Sequence, residues 1–424
     1  MAPPGTGRTA AIDNSQAVIA VLGTLDTKAA EVGYLVSLLE ASGYRCWVVD
    51  MGTAGQPGLA ADSTREQVRE AGGELEPGGG KTALMELMSA GASRILAQLI
   101  AAGQLAGVVA MGGGQGSWMA ARTMRELPLG LPKVLISTVA LRASEYVGRS
   151  DMVFVPSVVD LAGLNRFVRQ TLARAASVLA SMVRADSGPD SGAAGGGRPL
   201  VGLTMFGVTT PGAEQVRQRL DAAGYEVAVF HANGIGGHTM ERLVSSGAMV
   251  GVLDFTLTEL ADELAGGITT AGPHRLEAAG AAGIPQLLAP GALDVINFRG
   301  RDTVPARYAG RLFHQHTPMS TLMRTSTEES RALGAIVAAK LNQGRGPVRV
   351  LIPAGGFSQL DAPAGPFWDP GADEAFSAAL RRDLNPAIPV GELPHNINDR
   401  EFADAAAETF LNLLRESAIT SAPA

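Results

Sequence analysis

Residues 201–237 constrain the fold more than any other stretch: an apolar run, a polar turn, a helix-like segment, a second apolar run and a glycine loop follow one another without a break. Residues 200–205 are short and apolar and stop at Phe206-Gly207-Val208-Thr209-Thr210-Pro211, the pattern of a buried strand meeting a turn that opens a helix. The helix is predicted over 212–223 and ended by Gly224, and residues 226–230 make the next strand. That strand delivers His231, Asn233, Gly234, Gly236 and Gly237 to its carboxyl end, where open parallel sheets bind their ligands.

At 424 residues the chain exceeds one ordinary core, and two domains are expected. Residues 184–199 (RADSGPDSGAAGGGRP) read as a linker rich in Gly, Pro and Ser. The expected division is a domain over 1–184, a linker over 185–199 and a domain over 200–424. Both halves begin strand, polar loop, helix, Gly-Tyr, strand, as Ser42-Gly43-Tyr44 and Ala223-Gly224-Tyr225 show. The fold class is α/β, with two doubly wound domains. In the second half, further strands are predicted over 248–253, 285–289 and 348–352.

A net charge of -7, with no long basic stretch, argues against a nucleic-acid backbone as partner. No run of 18 apolar residues appears and residues 1–16 lack a signal-type apolar core, so a soluble, cytoplasmic protein with no membrane partner is expected. The single cysteine, Cys46, lies in the apolar run Cys46-Trp47-Val48-Val49 and reads as a core residue.

The first half offers a nucleotide-like set of loops. Residues 17–22 (AVIAVL) form a strand, and 29–42 a helix on which Val32, Leu35, Leu38 and Leu39 keep the helical period. Between them, Gly23, Thr24, Asp26, Thr27 and Lys28 sit where a first βα loop meets a nucleotide. Lys28 suits phosphate charge and Asp26 suits Mg²⁺ held through water, although Asp26 and Thr27 are equally apt to cap the helix. Asp50, at the tip of the second strand, suits a ribose hydroxyl. The string Gly80-Lys81-Thr82 is no Walker loop: Leu75 stands where the first glycine belongs, and no strand precedes it. Gly112, Gly113, Gly114, Gly116 and Ser117, with Gln115 among them, follow the strand 107–111 and open a helix, which makes them the best phosphate cradle in the chain. Ser137 and Thr138 place hydroxyls at the end of another strand.

In the second half Asp254 ends a strand as a candidate base or metal ligand, while Glu259 and Glu263 fall on one helical face as solvated or capping residues. His231 suits general acid/base work. Gly234, Gly236 and Gly237 form a second anion cradle. Arg275, Asp294, Asn297 and Arg324 are expected in loops, where arginines suit a carboxylate or phosphate. His395, Asn398 and Asp399 form a compact polar turn. His314 and His316 alternate as on a strand, with no third metal ligand fixed by spacing, and Ser358 and Asp361 lack the G-x-S-x-G context of a hydrolase.

The segments GTLDTK (23–28), PSVVDLAGLNR (156–166), TMFGVTTP (204–211), FHANGIGG (230–237), AGPHRLEAA (271–279), GALDVINF (291–298), TLMRT (321–325) and HNINDREFA (395–403) together resemble the Tm-1-like ATP-binding proteins, a family related to the N-terminal region of the tomato mosaic virus resistance protein. The resemblance covers nearly the whole chain. It implies Rossmann-like domains, ATP in the N-terminal one and a homodimer. The sequence departs from the family pattern at Ala29, at Val139-Ala140-Leu141-Arg142-Ala143, and at Gln115 and Trp118. The leading expectation is therefore an ATP-dependent enzyme, with Mg²⁺, that activates a small anionic metabolite by phosphoryl or adenylyl transfer in the interdomain cleft. Its catalytic set would be His231, Asp254, Asp294 and Arg324. Its substrate contacts would be Thr209, Thr210, Asn233, Gly234, Gly236, Gly237, Arg275, Asn297 and His395. The alternatives are a nucleotide-binding regulatory protein without turnover, and a hydrolase or lyase using the C-terminal loops.

Overall fold

The computed structural model describes residues 17–75, 78–148, 150–186 and 197–420. It divides into two units, Met1–Gly196 and Gly197–Ala424. Most of the expected linker, 187–196, lies outside the described residues.

The N-terminal unit is a parallel five-stranded sheet of β1 (Val18–Gly23), β2 (Arg45–Asp50), β3 (Leu105–Gly112), β4 (Lys133–Ser137) and β5 (Val153–Pro156), in the order β2-β1-β3-β4-β5. Both faces are covered, so β1 is apolar throughout and its alternate residues enter different cores. Ile19 and Val21 pack with Val32 and Leu35 of α1 (Ala29–Ala41) and with Leu172 and Leu179 of α6 (Arg166–Asp186). Ala20 and Leu22 face the other core, built by α2 (Arg65–Gly72), α3 (Lys81–Ala101), α4 (Gly114–Arg125) and α5 (Ala143–Val147). Helix α2 starts at a reciprocal cap in which the Thr64 amide donates to Gln67 Oε1 (2.9 Å) and the Gln67 amide to Thr64 Oγ1 (3.4 Å). Helix α3 follows α2 rather than a strand, in keeping with the rejection of a Walker loop. Among the described residues it alone is long and apolar enough to cross a membrane. Its Leu87, Met88, Ala92 and Leu96 are buried in the core. Cys46 is half-buried on β2, and burial pushes its thiol up to about 12.

The C-terminal unit is a parallel six-stranded sheet of β6 (Leu200–Met205), β7 (Glu226–His231), β8 (Gly251–Asp254), β9 (Gln286–Leu288), β13 (Val348–Pro353) and β14 (Val390–Leu393), in the order β14-β13-β9-β8-β6-β7. Val201, Leu203 and Leu287 pack on α7 (Thr210–Ala222) and α13 (Arg400–Thr420). The other face is covered by α8 (Ile235–Ser245), α9 (Thr258–Ala265), α10 (Ala278–Ala282), α11 (Thr327–Asn342) and α12 (Pro370–Asp383). A small antiparallel sheet, β10-β12-β11, adds β10 (Val295–Phe298), β11 (Phe313–Thr317) and β12 (Ser320–Arg324). Of this sheet the sequence offered only the strand-like alternation of His314 and His316 on β11, and β14 was not expected. Asn297 and Arg324 consequently lie on strands and not in loops.

Candidate functional site

In both sheets the chain crosses from one side of its first strand to the other, which opens a crevice at the carboxyl edge between β1 and β3 and another between β6 and β8. The two edges are filled differently.

At the N-terminal edge, Gly23 to Lys28 turn tightly into α1, with the Lys28 amide donating to Thr24 O (2.8 Å) and the Thr24 and Thr27 hydroxyls 2.9 Å apart. Asp26 Oδ2 accepts from the Ala54 amide (3.0 Å), and the Lys28 ammonium donates to Leu161 O. Asp50 is a correction to the sequence reading. It is 1% exposed and accepts from the Leu25 amide (3.0 Å), the Gly52 amide (2.8 Å) and Arg65 Nε (3.2 Å), so it fastens the loops instead of facing a ribose. Ser117 and Ser137 are corrected likewise. Both are fully buried, their hydroxyls lie 2.7 Å apart, and Ser137 Oγ also accepts from the Val139 amide.

What stays accessible is the first turn of α4. Gly113, its N-cap, is half-buried, Gly114 and Gln115 are exposed, and a Cβ placed on Gly116 would lie 3.9 Å from Thr24 Cγ2. The β1 loop and the α4 turn therefore meet. Gly112 has a packing role, since a Cβ there would sit 2.6 Å from the Ser117 nitrogen. Thr138 is half-buried and closes the edge, its amide donating to Gly112 O (3.3 Å).

At the C-terminal edge the glycine turn already holds an anion, and that anion belongs to the protein. Glu259 Oε1 accepts from the amides of Gly234 (2.7 Å) and Gly237 (3.1 Å). A Cβ on Gly237 would lie 1.9 Å from Glu259 Oε2, so glycine is required there for this contact. Glu259, expected on a solvated face, is fully buried. Its other oxygen accepts from Arg275 Nε (2.8 Å). Arg275 also donates to Asp254 (2.6 Å) and Glu241 (3.0 Å), and Gln286 donates to the second Asp254 oxygen (2.8 Å). Burial opposes the charge of Arg275, yet the three carboxylates hold its guanidinium above its usual range. Burial raises Glu241 despite the arginine. Asp254 and Arg275, expected as a reacting group and a substrate contact, are bonded to one another in the interior.

Asp294 and Arg324 belong to a second buried group. Asp294 Oδ2 accepts from Ser358 Oγ (2.6 Å), while its Oδ1 is buried with no hydrogen-bond partner. Arg324 donates to Phe367 O (2.8 Å), Thr325 Oγ1 (2.7 Å) and Asp373 (2.7 Å), and lies 3.7 Å from Asp361. Three carboxyls thus share one guanidinium. Burial and the neighbouring Asp361 push Asp294 up to about 7 and Asp373 up to about 8, partly offset by Arg324, so both carboxyls retain protons toward neutral pH.

The remaining expectations divide. Thr209 is buried with its hydroxyl 2.7 Å from that of Thr256, and the Asn297 side chain donates to Thr258 (2.9 Å) and Thr269 (3.0 Å) while its backbone amide donates to Asp262 (2.7 Å). Both are internal fasteners. Asp262 itself is pushed by burial up to about 6. Thr210 is exposed but bonded back to Phe206 O. Asn233 and Gly236 form a weak 3.4 Å contact, and His395 is half-buried beside Asp399 (3.9 Å). His231 is exposed, with its ring stacked on Phe206 at 5.3 Å. The sequence reading missed Glu241 and Asp373, and named Asp361 only beside Ser358 in a discarded hydrolase context. No local pattern singles these carboxylates out, and tertiary pairing with Arg275 or Arg324 is what marks them. Among the described residues no three His, Cys, Asp or Glu side chains converge as metal ligands.

Comparison with known proteins adds the relationship. Residues 17–188 match the N-terminal domain model of an uncharacterised protein family, UPF0261, and residues 198–414 match its C-terminal domain model. A UPF0261 protein of Clostridium tetani is 39% identical over 94% of this chain and 99% of its own length, and one of Rhizobium meliloti is 42% identical over 93% and 98%. The tomato (Solanum lycopersicum) ToMV resistance protein Tm-1 is 42% identical over 74% of this chain, a match that spans 42% of that longer protein. The structure of the Streptomyces nogalater glycosyltransferase SnogD, 14% identical over 94% of this chain and 100% of that one, superposes with a TM-score of only 0.16, which carries no argument. With both domain models matched and relatives near 40% identity along almost its whole length, the chain belongs to the UPF0261 family and is Tm-1-like.

Proposed function

We propose that the protein binds ATP on its N-terminal unit, with the phosphates against the first turn of α4 and the β1 loop. The observation that carries this reading is the meeting of those two segments at the β1–β3 crevice, where Gly113 to Gly116 open a helix beside Thr24. First-turn amides lack intrahelical acceptors, and the helix end carries partial positive charge, so a polyphosphate is favoured there. Lys28, whose ammonium donates to the Leu161 carbonyl, is the cation that the β1 loop itself supplies. The Tm-1-like resemblance points to the same ligand. Mg²⁺ would arrive with the phosphates and meet Asp26 through water, as suits an ion that keeps much of its hydration.

Nucleotide sensing accounts for the C-terminal unit better than chemistry does. Asp254, Asp294 and Arg324 are buried and tied to internal partners. The enzymatic reading, activation of a small anionic metabolite, keeps one specific support: His231, exposed at a strand's carboxyl end. Calorimetric titration of ATP with Mg²⁺ into the pure protein should show saturable binding, and absence of heat and of competition at millimolar ATP would end the reading. Incubation with ATP and a panel of carboxylic acids separates the two roles: release of ADP or AMP that His231→Ala abolishes would establish the enzyme. The homodimer implied by the resemblance is part of the same proposal, and light scattering with and without ATP tests it.

A further inference from the structure

The first turn of α4 is also the lip of an open cavity of about 570 Å³, as open to solvent as a groove and within the roughly 300–1,000 Å³ usual for small-molecule pockets. The cavity opens at the carboxyl edge, on the side of α4 that faces the first turns of α3 and the segment after β4. Its walls are mostly apolar: Met85 of α3, Trp118 of α4, Val139 after β4 and Tyr146 of α5. Polar groups are few, with Gln115 on the lip and the exposed Arg142 at the mouth. Two grooves of comparable size, about 610 and 680 Å³, run beside the middle and C-terminal half of α3 and do not reach the α4 turn.

We propose that this cavity takes the planar base of the nucleotide. The proposal rests on the phosphate reading above and deepens it. Trp118 is half-buried and braced against the core, with the Arg122 guanidinium 5.7 Å from its ring, and Tyr146 is fixed by its hydroxyl to Gly114 O (3.3 Å). Both rings are therefore held in place before a ligand arrives. A flat heteroaromatic ring can lie against such walls with little loss of freedom, because a rigid aromatic wall pays no ordering cost on binding. Gln115 presents an amide able to donate and accept at the polar edge of a base, and the Arg142 guanidinium can lie over its face. A phosphate alone gains nothing from Met85, Val139 or Trp118. The apolar and aromatic lining favours a base over a second anion.

The test uses the full chain and three probes: ATP, adenosine and inorganic triphosphate. Trp118 supplies the stacking face for the base, so Trp118→Ala should weaken ATP and adenosine by about tenfold while leaving triphosphate unchanged. Trp118→Phe should restore most of the loss. With Trp47 and Trp368 replaced by Phe, the remaining Trp118 fluorescence should be quenched by adenosine and not by triphosphate. Unchanged ATP affinity in Trp118→Ala would place the base elsewhere and overturn the proposal. Equal weakening of ATP and triphosphate would assign Trp118 to the fold and overturn it too. Wild-type protein that binds neither ATP nor triphosphate would fail the phosphate reading itself, a result distinct from the other two.

Discussion

The two sheets carry the same kind of sequence at the same edge, and they use it in opposite ways. After β3 and after β7, glycines lead directly into a helix. In the N-terminal unit the resulting turn is accessible and adjoins a cavity. In the C-terminal unit it is occupied by Glu259, itself clamped by Arg275. A glycine-rich turn after a strand is therefore a statement about backbone donors, not about ligands. What decides is whether another segment of the chain supplies the acceptor. Here α9 supplies one in the second unit, because its first turn places Glu259 beneath the glycines. In the first unit the carboxylates of the adjoining loops, Asp26 and Asp50, are bonded instead to Ala54, Gly52, Leu25 and Arg65.

The strongest way to break this contrast is to remove the clamp. Arg275→Met should leave Asp254, Glu259 and Glu241 buried without a cation, a loss of about 3–5 kcal/mol for breaking a buried charge network. Urea denaturation followed by circular dichroism would read it. A shift of the first transition equivalent to less than 1 kcal/mol, by the scale of ordinary surface changes, would mean that the glycine turn holds Glu259 without help.

The Asp294 group yields the next effect, and its sign follows from the direction of the shifts. Both Asp294 and Asp373 sit above their ordinary value of 3.8, at about 7 and about 8. Between pH 4 and those values the unfolded chain has released protons that the native chain retains, so stability falls as pH rises through the window and levels off above it. Each retained proton contributes a slope of at most about 1.4 kcal/mol per pH unit. Asp294→Asn should flatten the curve, matching wild type near pH 4 and gaining on it steadily toward pH 7. Parallel curves for the two proteins would show that Asp294 is ionised in the native state.

The doubly wound pattern was legible because parallel strands buried on both faces are short apolar runs, and glycines mark the helix ends that follow them. β14 and the β10-β12-β11 sheet were not. Val390-Gly391-Glu392-Leu393 is a short sheet edge whose apolar run is broken by Gly391 and Glu392, and His314-Gln315-His316 carries the alternation of an exposed hairpin with no apolar signal. At the sites, the sequence correctly singled out residues with unusual chemistry, but it had no means of telling an open donor from a satisfied one. Asp50 and Asp254 end strands, Asn297 lies on β10 and Arg275 in the turn before α10, and all four are bonded to partners 15 to 39 positions away. The residues that line the cavity, Trp118 and Tyr146, resemble ordinary core aromatics until α3, α4 and α5 are packed together.

A smaller effect tests the open edge directly. Gly114 is the first residue of α4, and Gly113 before it is extended (φ -81, ψ -157), a conformation that tolerates a following proline. Gly114→Pro therefore keeps the helix start and deletes one amide donor. A hydrogen bond to a charged group is worth about 1.5–3 kcal/mol, so ATP affinity should fall about tenfold or more with little change in thermal stability. Unchanged affinity would remove the phosphates from this turn.

The smallest effect separates a fastener from a ligand contact at the same edge. Ser137 looked like a nucleotide contact because it ends β4, yet its hydroxyl is buried between Ser117 Oγ and the Val139 amide. Ser137→Ala leaves the Val139 donor without its acceptor and should cost about 1 kcal/mol of stability. Because no part of Ser137 reaches the surface, the ATP dissociation constant should stay within about twofold, a change below the 1.4 kcal/mol of a tenfold step. A large loss of affinity with unchanged stability would reverse the assignment, and would show that the N-terminal edge opens deeper, into the Ser117–Ser137 pair, when the nucleotide is bound.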